Sequence, residues 1–336
     1  MMPDPGQNIA IVVIGRNEGD RLKSCLRSVI NRARTVVYVD SGSADGSPQY
    51  AASLNCRVVE LDPSRPFSAA RARNEGFDCV MENAPDVSFV QFLDGDCDLV
   101  EGWLEQGVTA LTQREDAGIV CGHVRELYPQ ATVYNRLCDL EWRQAPGEIR
   151  SSGGRFMVQT EVFRAVGGFR PDVIAAEDDE FCVRVRRLGR KIFQVDAEMA
   201  RHDMAMTRFA EWWRRTKRTG HAYAQVAALH GGSEERYFVR DCRRIWLWGL
   251  VLPVLAISLA PFTEGLSLFA LFCAYALQFA RIYRTGRKRG WPAGDAFIYS
   301  FFTVLFKFPA LLGLLGYHWR QWRGHAFTII EYKRSS

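Results

Sequence analysis

"VSFVQFLDGDCDL", residues 87–99, runs an apolar segment into three alternating carboxylates. Val87, Phe89, Val90, Phe92 and Leu93 are β-branched, aromatic or aliphatic, and the run has the length of a buried strand. Asp94, Asp96 and Asp98 then crowd negative charge where that strand stops. A calcium loop would use carboxylates at positions one, three and five, with Glu105 at twelve. Position six is Leu99, where such a loop needs glycine, and the segment before it alternates as a strand, not a helix. Two readings then remain: solvated loop acids, and a strand-end site for Mg2+ or Mn2+. These ions take oxygen ligands, often one or two carboxylates plus substrate phosphates.

Outward from this stretch, "NIAIVVIG" (8–15), "TVVYVD" (35–40) and "CRVVELD" (56–62) read as further buried strands. "DRLKSCLRSVI" (20–30), "PQYAASLN" (48–55) and "SAARARNEGFDCVMEN" (68–83) read as the helices between them. Alternation at this spacing predicts a doubly wound α/β sheet, in which ligands bind at the carboxyl ends of strands. The polar residues at those ends are Arg16, Asn17, Glu18, Asp40, Asp94 and Asp96.

The 336 residues suit one large domain plus something smaller. A hydrophobic content of 48% and a charged content of 24% exclude a disordered chain. The net charge of +5 is modest, and the basic residues gather beside apolar runs near the end, which points to a membrane and away from nucleic acid. The nine cysteines form neither CxxC nor a zinc spacing and read as reduced thiols. The opening residues lack the pattern of a signal peptide, so the first domain is expected in the cytoplasm.

Three apolar runs follow, at 245–262, 266–283 and 296–317. Basic clusters flank them: "RDCRR", "RIYRTGRKRG" and "HWRQWRG". The first two runs are expected to form a membrane hairpin over 245–283, with its basic flanks in the cytoplasm. Lys307 and Pro309 interrupt the third, which is expected to be re-entrant or interfacial. The expected division is therefore 1–240 and 241–336. The competing reading is a set of buried helices in a soluble domain.

The order "IAIVVIGRNEGDRLKSCLRSV", "VVYVDSGSADGS", "ARARNEGF", "FVQFLDGDCDL", "GGRFMVQTEVFRAVGGF", "AAEDDEFCVRVRRLG" resembles the family 2 glycosyltransferases. The resemblance spans roughly residues 9–195. It implies a GT-A fold and an inverting, usually metal-dependent, transfer of sugar from a nucleotide-sugar. Residue by residue, it implies that Arg16, Asn17 and Glu18 lie beside the nucleotide and that Asp40 contacts base or ribose. Arg73 then reaches the base or the phosphates, with Arg71 as a second candidate and a solvated helix face as the plainer reading of both. Asp96 is implied as a metal ligand, with Asp94 toward ribose or metal, and His202 as a third ligand. Asp98 is a bystander. Asp178 is implied as the catalytic base, with Asp179 and Glu180 as runners-up. An inverting transfer needs one base for the acceptor hydroxyl, while the cation stabilises the departing diphosphate.

The Gln-x-x-Arg-Trp motif of processive members is missing. Trp212, Trp213, Arg214, Arg215, Lys217 and Arg218 stand nearby, and the basic residues suit either a diphosphate or anionic lipid at the membrane surface, the surface being the favoured reading. The expectation is transfer of a single sugar, from a UDP-sugar first, to a membrane lipid or lipid-linked acceptor at the cytoplasmic membrane. The alternatives are a processive polysaccharide synthase and a catalytically silent scaffold or sugar-nucleotide sensor.

Overall fold

The computed structural model describes residues 5–324. The C-terminal tail, 325–336, which belonged to the expected second domain, lies outside the described residues. The chain divides into two compact units: residues 5–127 with 142–204, and residues 128–141 with 205–324.

The first unit alternates strands and helices: β1 (Ile9–Gly15), α1 (Asp20–Val29), β2 (Thr35–Asp40), α2 (Ser47–Ser53), β3 (Arg57–Glu60), α3 (Ala69–Asn83) and β4 (Phe89–Asp94). β5 (Cys97–Leu99), α4 (Trp103–Thr112) and β6 (Ala117–Glu126) continue it. In the second unit comes α5 (Val133–Glu141). The first unit then resumes with β7 (Gly147–Ile149), β8 (Phe156–Gln159), α6 (Thr160–Val166), α7 (Glu177–Arg187) and β9 (Lys191–His202). The strands form one mixed sheet in the order β3-β2-β1-β4-β8-β6-β9-β5, with β7 paired to β9.

β1 runs parallel to both β2 and β4, and all three are buried along their length. That is why they read as near-continuous Val/Ile/Phe runs and not as alternating ones. A Cβ on Gly76 of α3 would stand 2.4 Å from Val12, so glycine lets that helix lie directly on the sheet. Phe92, Phe163, Phe169 and Phe181 pack with centroids 4.6 to 5.7 Å apart and tie β4, α6 and α7 together.

The second unit is helical: α8 (Phe209–His230), α9 (Val239–Trp246), α10 (Leu252–Leu259), α11 (Leu266–Lys288), α12 (Ala293–Leu305) and α13 (Lys307–Arg323), besides α5. This displaces the boundary expected at 240, and glycine explains why α8 belongs here. A Cβ on Gly220 would lie 1.9 Å from the Ala310 carbonyl, and one on Gly313 1.9 Å from that of Lys217. The backbones of α8 and α13 therefore touch, as small residues permit between helices. Arg136 of α5 forms an ion pair with the buried Asp295 of α12 and donates to it through Nε at 2.8 Å.

Three stretches are long and apolar enough to cross a membrane: Val239–Phe262, Leu266–Lys288 and Ala293–Arg323. The third is broken at Phe306, one residue before Lys307, and Pro309 falls in the first turn of α13, where proline is tolerated.

Candidate active site

The parallel register aligns the strand ends that carry the polar residues: Gly15 pairs with Asp40, and Ile14 with Asp94. The loops after β1 and β2 are stitched together by Asn17, held at φ +52°. Its amide N–H donates to Ser43 Oγ at 2.8 Å, and its Oδ1 accepts from the Ala44 N–H at 2.8 Å. Arg16 is exposed and lies over the Phe67 ring at 5.4 Å, while Glu18 pairs with Arg21 at 2.8 Å.

Asp40 differs from its expected role. It is 1% exposed, and its carboxylate accepts from Tyr38 Oη at 2.7 Å and from the Gly42 and Ser43 N–H groups at 2.9 and 2.7 Å. It shapes the loop at the end of β2 from within.

The two arginines of α3 are not on a solvated face; both are buried. Ser68 caps the helix by accepting from the Arg71 N–H at 3.1 Å. The Arg71 side chain donates to the carbonyls of Asp62 and Arg65, each at 3.0 Å, and to Glu75 at 2.6 Å, so it braces the loop before α3. Arg73 does something different. Its guanidinium donates to Asp94 Oδ1 at 2.9 Å and to Glu177 Oε1 at 2.7 Å. One buried cation thus joins the end of β4 to the start of α7. Burial opposes its charge, but Asp94 and Glu177 outweigh that and raise its pKa. A Cβ on Gly154 would lie 2.4 Å from Arg73 Nη2, so glycine is needed beside it. Asn74, the next residue, accepts from the Phe169 N–H and donates to its carbonyl, both at 2.8 Å, and so fixes the turn at Gly167 and Gly168.

Asp96 and His202 meet. β5 pairs antiparallel with β9, placing Cys97 opposite His202, and His202 Nε2 lies 3.0 Å from Asp96 Oδ2. Asp96, Cys97 and His202 are all buried and bring one ligand atom each within 4.8 Å of one another. Carboxylate suits Mn2+ or Mg2+, whereas imidazole suits Zn2+, Fe, Cu or Ni. Burial holds the Cys97 thiol neutral, raising its pKa well above the ordinary thiol value, and it donates weakly to Asp96 at 3.5 Å. The donor set fits a divalent cation held by Asp96 and His202, and Asp94 lies against Arg73 and Arg155. Asp98 lies on β5 and accepts from Ser24 Oγ at 2.7 Å, away from this cluster.

The four acids that open α7 separate by environment. A helix N-terminus tolerates such a run because its dipole favours negative charge. Glu177 pairs with Arg73. Glu180 is 0% exposed and accepts from Arg184 through both oxygens at 2.7 to 3.0 Å, which removes it as a candidate base. Asp178 and Asp179 are half-buried. Burial, with Asp179 and Glu177 beside it, pushes the Asp178 carboxyl up to about 8 against the pull of Arg73. A carboxylate of raised pKa is a stronger base once ionised.

Residues 10–169 match the family described as Glycosyl transferase family 2. The matched stretch is just under half of the chain. Among curated relatives, "Glycosyltransferase AglE" of Haloferax volcanii is 23% identical over 72% of this chain and 80% of its own length. "Pre-mycofactocin glycosyltransferase" of Mycobacterium tuberculosis is 26% identical over 67% of this chain, and the match spans about half, 48%, of that protein. The mannosyltransferase PcManGT of Pyrobaculum calidifontis, solved with GDP-Man and Mn2+, shares the fold at a TM-score of 0.59 and 18% identity, over 94% of this chain and 89% of that one. The GT-A fold is thereby established, and the glycosyltransferase transfers sugar from a nucleotide-sugar.

Sequence reasoning about this glycosyltransferase missed Arg155. Its Nη1 lies 3.3 Å from His202 Nδ1, 3.7 Å from Asp94 Oδ2 and 3.7 Å from Cys97 Sγ. Its guanidinium also sits 5.5 Å from the Trp142 ring, which itself packs on His202 at 4.8 Å. The signal was "GGRF", where a charged residue stands between a glycine pair and a strand and points inward.

Proposed function

We propose that the protein transfers a single sugar, with inversion, from a nucleoside-diphosphate sugar to a hydroxyl of a membrane-associated acceptor. The observation that carries this reading is the meeting of Asp96 and His202 at 3.0 Å, with the half-buried Asp178 next in sequence to Glu177, which Arg73 joins to Asp94. Asp96 and His202 would hold a divalent cation, with Asp94 turned to ribose or metal. The cation supplies charge stabilisation to the departing diphosphate. Asp178 takes the proton of the acceptor hydroxyl, its raised pKa strengthening it as a base. Asp179 is the runner-up. Arg73 positions Asp94 and Glu177, Asp40 and Asn17 shape the nucleotide loops, and Arg16 and Glu18 border them.

The three apolar stretches support a multi-pass membrane location with the catalytic domain on the cytoplasmic side, where the basic clusters gather. Because both units belong to one chain, a membrane-held helical unit keeps the catalytic unit at the bilayer, which favours a lipid or lipid-linked acceptor. The Pyrobaculum enzyme was solved with GDP-Man and Mn2+, so GDP-sugars stand beside UDP-sugars as donors to test.

The test is Mn2+-dependent binding of UDP-, GDP- and dTDP-sugars to the detergent-solubilised protein, followed by transfer in membranes. One nucleotide class is expected to bind and to yield a single addition. Transfer that survives both Asp96→Ala and Asp178→Ala would sink the site assignment, and a polymeric product would favour a processive synthase.

A further inference from the structure

The third apolar stretch, Ala293–Arg323, keeps different company from the other two. Of the most apolar part of each, 17% is buried in Val239–Phe262, none in Leu266–Lys288 and 39% in Ala293–Arg323. What covers the third is a pair of polar helices, α5 and α8. Asp295 of α12 is held by Arg136 of α5. Two turns on, Phe302 lies 5.8 Å from Tyr134 of α5 and 4.9 Å from Trp212 of α8. Phe306 lies 6.4 Å from Tyr223, Ala310 and Gly313 touch α8 at Gly220 and Lys217, and Tyr317 packs on His221 at 5.4 Å. The contact on α8 moves from 223 to 220 to 217 as the stretch advances from 306 to 310 to 313. α13 therefore runs antiparallel along α8.

α8 does not belong in hydrocarbon. It carries Arg214, Arg215, Lys217 and Arg218 in little more than one turn, and Arg215 pairs with Glu141 of α5 at 2.9 Å. Such charge is costly at the centre of a bilayer. A stretch that rests on these helices from Asp295 to Tyr317 stays where they stay. Length agrees. α12 and α13, divided at Phe306, have 13 and 17 residues. They rise about 20 and about 26 Å, each short of the roughly 30 Å core. The side of α13 turned to α8 is buried at Ala310, Leu314 and Tyr317, while Leu312, Leu315, Trp319 and Trp322 are exposed at helical spacing. His318, Arg320 and Arg323 border them. Leucine and tryptophan on one face with basic residues beside them suit a helix lying in the headgroup region.

Given the membrane location proposed above, we propose that Ala293–Arg323 lies in the membrane interface with α8 and does not cross. The described residues then cross twice, through Val239–Phe262 and Leu266–Lys288. The partner of Leu312, Leu315, Trp319 and Trp322 is the boundary between headgroups and acyl chains. Lys288 and Arg323 stand on one side of the bilayer and Glu264 on the other.

Sidedness of labelling tests this. Lys288→Cys, Glu264→Cys and Arg323→Cys, one per full-length protein, are treated with a membrane-impermeant maleimide in sealed right-side-out and inverted vesicles. The native cysteines are buried or half-buried, and the wild type gives their background. Lys288→Cys and Arg323→Cys are expected to react in the same vesicle orientation, and Glu264→Cys only in the opposite one. Arg323→Cys reacting together with Glu264→Cys shows that the third stretch crosses, which overturns the proposal and leaves the membrane location standing. All three reacting in one orientation overturns the membrane crossings as well. Should one of these variants fail to insert, a nitroxide on Leu315→Cys in lipid reads depth directly. It is expected to collide with both dissolved oxygen and a water-soluble nickel chelate. Collision with oxygen alone places it in the core, and dipolar broadening places a second copy of the chain on that face. Either result overturns the proposal.

Discussion

The two units meet the problem of burial in opposite ways. In the α/β unit β1, β2 and β4 are covered by the chain itself, and the buried arginines and acids are held in pairs. Arg73 is the clearest case, 2% exposed and held by two carboxylates from distant segments. In the helical unit, the most apolar stretch of α11 has none of its residues buried, and Phe262, Phe269 and Phe272 stand open. An apolar surface that the chain does not cover marks a surface that something else must cover. One unit carries its own interior; the other leaves long apolar surfaces open.

Changes in the first unit should act on chemistry and pairing. Asp178→Asn should have the largest effect, lowering transfer by about 10²- to 10⁴-fold as the loss of a general base does. It should leave Mn2+ binding unchanged, and equal loss of metal binding would place Asp178 in the wrong role. Arg73→Met should come next. Removing one partner of a buried pair leaves Asp94 and Glu177 uncompensated, at a cost of about 3–5 kcal/mol. Thermal unfolding should record it equally in detergent and in lipid. A cost that lipid erased would break the distinction between the units.

The helical unit should respond to shape. Gly220→Leu or Gly313→Leu drives a side chain into the backbone of the facing helix, at about 1–3 kcal/mol or more. Nucleotide-sugar binding should survive, and its loss would show that the two units do not behave separately. The smallest effect is on pH dependence. The Asp178 carboxyl is raised in the folded protein to about 8, above the ordinary carboxylate range, so the folded state holds that proton where the unfolded chain has lost it. Stability from this group is full below the unfolded pKa and is lost as pH rises toward 8. Asp178→Asn should therefore raise the melting temperature at pH 9 and leave it nearly unchanged at low pH. An equal rise at both would mean that the charge is not the cause. The same carboxyl predicts that kcat/KM in the wild type rises with pH on its acid limb.

Much of this was legible along the chain because it depends on local pattern. Continuous Val/Ile/Phe runs mark strands buried on both faces, and β1, β2 and β4 lie where those runs lie. The acids at the end of β4 and at the start of α7 were visible because turns and helix starts carry their own signals. The apolar runs declared themselves by length.

Sorting the equivalent-looking residues took the tertiary structure. On the page Asp94, Asp96 and Asp98 differ only by position, as do Asp178 and Glu180. Antiparallel pairing of β5 with β9 gives Asp96 to His202, Ser24 takes Asp98, and Arg184 takes Glu180. Arg71 and Arg73 sit two residues apart on one helix, yet one braces a loop and the other joins two acids. Arg155, unnoticed in the sequence, stands between Asp94 and His202. The strands, the strand-end carboxylates and the apolar helices follow from the chain read end to end, because periodicity and composition are properties of neighbours along it. Only the fold decided which acid faces which cation, because charge pairing is a property of neighbours in space.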